Sequence, residues 1–251
     1  MLNLLDRRFR TLTLITAIAT YLLVVLGGIV RVTGSGLGCL DWPGCTQPMP
    51  DQIKPLLEMS HRLAAGFVTV MVIVVALVAW RRYRQQKWIF RPALLGVITI
   101  FVQSALGAVT VLSQNAPFTV ALHLGTALAM FALTTIVATA ARQPDPSNPI
   151  VFDPRHNRLL SLSLAGALLV YLLILIGSIV TATNAALACL DWPLCQGQLL
   201  PPTTDPFVYI QWIHRFAALI TGLVLVWLTV GTWRKRIQQP QTWIVAALGL
   251  S

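Results

Sequence analysis

Six apolar runs leave this chain few folds to choose from. They fall at about Leu12–Val30, Leu56–Trp80, Ala93–Leu112, Phe118–Ala141, Leu159–Val180 and Phe207–Val230, and a seventh opens at Trp243. Each approaches or exceeds the roughly 20 residues a helix needs to cross a bilayer. Hydrocarbon offers backbone groups no water to bond, so a segment of this kind must satisfy its own N–H and C=O groups as a helix. With 56% hydrophobic and 10% charged residues over 251 positions and a mean hydropathy of +0.74, a soluble domain is excluded. The expected fold class is an all-α polytopic membrane protein.

The formal charge of +10 points to a nucleic-acid partner only until its distribution is read. Fourteen of the eighteen Lys and Arg lie at the N-terminus, around Arg81–Arg91, between Arg142 and Arg158, and at Arg234–Arg236. These are alternate loops, and basic loops face the cytoplasm. The N-terminus is therefore expected inside and the loops around 31–57, 113–117 and 181–208 outside, in a multi-pass protein of the cell membrane. The charge implies anionic lipid as partner and no nucleic acid.

A tandem duplication sets the internal organisation. GGIVRVTGSGLGCLDWPGC from Gly27 to Cys45 returns as GSIVTATNAALACLDWPLC from Gly177 to Cys195, 150 positions later, and Glu58–Ala65 returns as Gln211–Ala218 at an offset of 153. The chain reads as two copies of one four-helix unit, residues 1–145 and 146–251, joined by a proline-rich polar loop. The first run, behind Arg7, Arg8 and Arg10, has the outline of a signal peptide. Its counterpart is the mid-chain fifth run, which no signal peptidase removes, so it is expected to remain a helix.

All four cysteines, Cys39, Cys45, Cys189 and Cys195, fall in the two large outside loops, where thiols can be oxidised. The repeat favours the pairs Cys39–Cys45 and Cys189–Cys195, one bridge per unit. Zinc fits poorly: five residues separate each pair and no His lies in those loops. A stapled turn with Trp42 at the membrane interface and a small exposed ring exchanging electrons with a thiol partner are both open readings.

The chemistry-bearing residues sit just inside the outer ends of the helices. Glu58 and His61 share one face of the second run, with Arg62 beside them; ionisable groups in a span are functional candidates by default. His61 and His123 each lie five residues into their helix, about 7.5 Å below the outer surface, and His61 is repeated as His214. His156, in a polar inside loop, reads as solvated surface. A diiron carboxylate site needs several glutamates, and Glu58 is the only one in the chain. Haem needs one or two axial imidazoles, an apolar wall and cations for its propionates, which Arg62 and Arg215 suit. Gly66 and Gly107 suggest room for the ring. Gln211 stands where the first unit has Glu58, and an amide cannot titrate, so chemistry is expected in the N-terminal unit and a structural or electron-carrying haem in the other.

The chain resembles the haem A synthases of cytochrome oxidase assembly, in their cysteine-containing bacterial form. The likeness rests on the Glu-x-x-His-Arg motif at Glu58–Arg62, its echo at His214–Arg215, His123 in the fourth helix and the paired-cysteine loops. The resemblance implies eight helices in two pseudo-symmetric bundles. It implies that His61 and His123 flank haem O as substrate, that Glu58 is needed for oxidation of its ring methyl to a formyl, and that His214 ligates haem b. It makes Cys39–Cys45 a loop disulfide linked to activity. Implied partners are haem O, the farnesyltransferase that makes it, the oxidase under assembly and an unidentified electron donor, with a homo-oligomer as a further candidate. A fourth ligand matching His123 would fall 150 to 153 residues further on, past Ser251, so the chain is expected to be a fragment with about six and a half of the eight helices. The rival functions are a non-enzymatic b-type membrane cytochrome and a haem-delivery protein.

Overall fold

The computed structural model describes residues 2–143, 158–200 and 204–236. The seventh run from Trp243, His156 and the inner loop at 144–157 lie outside the described residues. The described residues form six long helices, α1 (Leu2–Val32), α2 (Ile53–Arg82), α3 (Lys87–Leu112), α4 (Pro117–Ala140), α5 (Arg158–Ala182) and α6 (Pro206–Arg236), with a 3-10 turn at Ala185–Leu187. All six are long and apolar enough to span a membrane. The protein is an all-α polytopic membrane protein. Each of the first six apolar runs lies on a helix, with only Ala141 falling one residue past the end of α4. The helices outrun the apolar stretches because charged ends such as Arg81 and Arg82 stop the hydropathy without stopping the helix.

Contacts divide the chain into two compact units, Met1–Ile150 and Val151–Ser251. In the first, α1 packs on α2 and α4, α2 on α3, and α3 on α4, so the four helices close a ring. Connections at 83–86 and 113–116 are short enough to force neighbouring helices antiparallel. Two apolar clusters fill the ring: Val68, Val72, Ile100 and Met130 in one, and Phe9, Val75, Ala79, Ile89, Ala93, Val137 and Ala141 in the other. Helix α1 also buries Thr13, Thr16 and Thr20. Each hydroxyl donates to a carbonyl of its own helix at 2.8–3.0 Å, so these polar groups are satisfied in an apolar setting.

The helix that carries each outer loop ends where the sequence lets it turn. After α1, the Ser35 N–H donates back to Val30 at 2.9 Å and the Gly34 N–H to Arg31 at 3.1 Å, with Gly34 at φ +66°. This is the Schellman arrangement, which wants a left-handed residue. The second unit places Asn184 there at φ +58°, the non-glycine residue that tolerates that region best. The loops that follow hold the disulfides Cys39–Cys45 and Cys189–Cys195, with Cα separations of 5.0 and 4.9 Å. In the second unit α5 packs on α6, and the 3-10 turn packs on both.

Candidate functional site

Each of the three helical histidines lies on a glycine of the preceding helix. A Cβ added to Gly27 would stand 3.1 Å from Cε1 of His61; at Gly107 it would stand 3.2 Å from Cε1 of His123, and at Gly177 3.0 Å from Cε1 of His214. The same ring edge therefore faces glycine each time, at a spacing no larger residue permits without displacing the ring. In all three rings Nδ1 is buried and has no hydrogen-bond partner. An unpaired buried polar group costs about 1–3 kcal/mol, and three identical instances are a pattern. Imidazoles seated in the same way on three apolar helices are the kind of donor that haem ligation needs. His61 on α2 and His123 on α4 stand on diagonally placed helices of the four-helix ring.

His123 has one contact that the other two lack. Gln103 of α3 places its amide nitrogen 3.4 Å from Nε2 of His123, and the Thr126 hydroxyl donates to the Gln103 carbonyl oxygen.

Glu58 is almost fully buried, at 4% exposure. Its Oε2 accepts the Cys39 N–H at 2.8 Å, and its Oε1 accepts from the Arg62 guanidinium. Arg62 then reaches over the disulfide loop, donating to the carbonyls of Asp41 at 2.7 Å, of Cys39 and Pro43 at 3.3 Å, and of Gly44. Asp41 closes the same loop from within. Its carboxylate accepts the N–H groups of Thr46 at 2.9 Å and Gln47 at 3.0 Å and the Thr46 hydroxyl at 2.9 Å. Those donors, the Thr46 N–H foremost, hold the Asp41 carboxyl at about 2, well below its ordinary 3.8.

The second unit repeats the clamp almost atom for atom. Arg215 donates to the carbonyls of Cys189 at 2.6 Å, of Asp191 and of Leu194, the positions 150 after Cys39, Asp41 and Gly44. Asp191 accepts the N–H groups of Gln196 and Gly197, both at 2.8 Å. Its carboxyl is held below the usual range, first by the Gly197 N–H and also by the Arg215 charge. One element is missing: Gln211 replaces Glu58, and its carbonyl oxygen is buried without a partner. The carboxylate that ties helix, arginine and loop together belongs to the first unit alone.

The sequence placed Glu58, His61, Arg62, His123, His214 and Arg215, and the cysteines pair within each loop as the repeat favoured. Both guanidinia, expected beside propionates, are bonded to outer-loop carbonyls, so an anionic ligand reaching them would share groups already engaged. Gly107 makes room for the His123 ring, whereas a Cβ on Gly66 would meet nothing within 4 Å. Gly27, Gly177, Gln103, Thr126 and the two loop aspartates escaped sequence reasoning. Gly27 and Gly177 had a signal, since they open the two copies of the duplicated stretch, and Gln103 had another as a lone amide in an apolar span.

Among the described residues, six helices able to span a membrane and half-buried histidines set on glycines, beneath loops stapled by disulfide and arginine, define a polytopic membrane protein with a candidate ligand site at each histidine. The chain belongs to the COX15-CtaA family, whose model is described as cytochrome oxidase assembly protein and matches residues 10–54 and 50–250. It is 32% identical over 237 residues to the heme A synthase of Shouchella clausii, covering 91% of this chain and 77% of that protein. It is also 32% identical over 231 residues to the heme A synthase of Lysinibacillus sphaericus (87% and 72% covered) and 31% identical over 237 residues to that of Halalkalibacterium halodurans (92% and 78%).

Proposed function

We propose that this protein is an oxidoreductase of haem A formation, taking haem O as substrate and oxidising one ring methyl to a formyl through successive hydroxylations and loss of water. The relatives named heme A synthase support the reaction class. The observation that carries the assignment to the first unit is the inequality of two otherwise matching sites: the same histidine on the same glycine, but Glu58 in one and Gln211 in the other.

In this reading residues 1–145 hold haem O between His61 and His123, and residues 146–251 hold haem b through His214. Bound iron supplies the redox chemistry. The chain's residues supply the rest. The glycines fix the imidazole planes, the helix walls exclude water, and the Glu58 carboxyl, set one helical turn from His61, is the one titratable acid beside the site. Arg62 keeps that carboxyl in place and offers a cation at the outer edge for a propionate, as Arg215 does in the second unit. The cysteine loops lie on the extracytoplasmic side of the cell membrane, the N-terminus inside, and the product passes to the oxidase under assembly.

A second reading has one observation in its favour. Both oxygens of Glu58 are occupied by Cys39 and Arg62, as a purely structural carboxylate in a b-type electron-transfer cytochrome would be. Expression of the gene with a source of haem O, followed by extraction and mass spectrometry of the haems, separates the two. Formyl-bearing haem is the expected product; haem O recovered unchanged from a protein with its haem sites filled overturns the synthase reading.

A further inference from the structure

Three histidines rest on three glycines, and the residue one helical turn before each glycine differs in one case. Residues four apart share a helix face, so whatever precedes the glycine by one turn lies alongside the histidine. That residue is Leu23 before Gly27 and Leu173 before Gly177, but Gln103 before Gly107. Gln103 uses the position: its amide nitrogen stands 3.4 Å from Nε2 of His123. The Thr126 hydroxyl lies against the other end of the same amide. The Thr126 oxygen also lies 2.9 Å from the Leu122 carbonyl and 3.1 Å from the His123 carbonyl of α4, alternative acceptors for its one proton. A polar amide in a membrane helix is kept only where it has partners, and this one has both.

We infer that Gln103 is a positioning residue that competes with the substrate's iron for Nε2 of His123, making His123 the releasable axial ligand and His61 the fixed one; this rests on the haem-site reading given above. Nε2 is the ring nitrogen clear of the Cβ branch and so the one that reaches an iron in a flat macrocycle. That nitrogen either keeps its hydrogen bond to the Gln103 amide or binds metal, never both. The position matching Gln103 in the Gly27–His61 pair is Leu23, whose side chain has no hydrogen-bonding group. The pair that looks symmetric in sequence is therefore unequal in holding strength.

The test uses the whole chain carrying His214→Ala, so that only the first unit reports, purified in detergent and loaded with ferric haem b as the probe. Spin state by visible and electron paramagnetic resonance spectra, and cyanide affinity, are compared among the parent, Gln103→Leu, Gln103→Asn and Thr126→Val. One net hydrogen bond released should raise the six-coordinate low-spin fraction and weaken cyanide binding roughly two- to tenfold in both Gln103 variants. Thr126→Val should move the same way by less. An unchanged spin state and cyanide affinity in the Gln103 variants, with His123→Ala turning the site high-spin, overturns the inference while leaving the haem site intact. A fall in low-spin fraction overturns it too, since Gln103 would then be orienting the ring for the iron. Spectra insensitive to both His61→Ala and His123→Ala overturn the haem-site reading itself, and the inference with it.

Discussion

One added methyl is enough to probe a histidine site. In Gly27→Ala the new Cβ would lie 3.1 Å from the His61 ring, whereas in Gly28→Ala it would meet nothing within 4 Å. Overpacking of this kind costs about 1–3 kcal/mol. The expected outcome is a haem-loaded protein whose low-spin absorption is diminished in Gly27→Ala and unchanged in Gly28→Ala; equal spectra would remove the glycine contact from the account. Gly177→Ala should do the same to the His214 site. Asp41 gives a second test at this scale. Its folded carboxyl is held at about 2 against 3.8 unperturbed. A depressed carboxyl stabilises the folded loop above its unfolded value and loses that contribution as pH falls through the folded one. The loop contribution is thus complete above about pH 4 and lost towards pH 2, where the carboxylate gives up the Thr46 and Gln47 N–H groups. Titration of carbon-labelled aspartate in detergent should find a midpoint near 2 for Asp41; a midpoint at the ordinary value would show the loop hydrogen bonds do not persist in solution.

Between helix and loop the two arginines do the same work with different neighbours. Arg62 pairs with a carboxylate whose side chain is 5% exposed, while the matching position four residues before Arg215 holds the uncharged Gln211. Removing one partner of a buried ion pair leaves the other charge stranded, at a cost of about 3–5 kcal/mol. Arg62→Met should therefore lower the thermal unfolding midpoint clearly more than Arg215→Met, and equal shifts would contradict the ion pair. The helices themselves were legible in advance because a bilayer demands long apolar runs. The residues on them were only half legible. Titratable side chains in apolar segments announce themselves, and so Glu58 and the histidines were found. Gly27, Gly107 and Gly177 act by having no side chain, and glycine is common in membrane helices for other reasons. The clamp was hidden differently: Arg62 binds carbonyls, and main-chain acceptors leave no trace in a sequence. Reading Arg62 as a propionate partner followed from its charge, while its reach over the Cys39–Cys45 loop followed from the fold.

Across the whole molecule, duplication supplies the control experiment. Two units share a disulfide loop, an arginine clamp, a loop aspartate and a histidine on glycine, and they part at residue 58 against 211. In the proposed function, features present in both belong to the shared task of holding a flat ligand beneath a stapled loop. Glu58 belongs to the first unit only, and the chemistry is assigned to that difference. Gln211 also shows that an amide is tolerated at this place in the fold, so Glu58→Gln is a fair replacement and not a demolition. The decisive measurement is the haem content and haem products of Glu58→Gln beside the parent, both supplied with haem O. The account predicts that the variant keeps its haem but makes little or no formyl-bearing product. A variant that makes haem A at the parent's rate would contradict it.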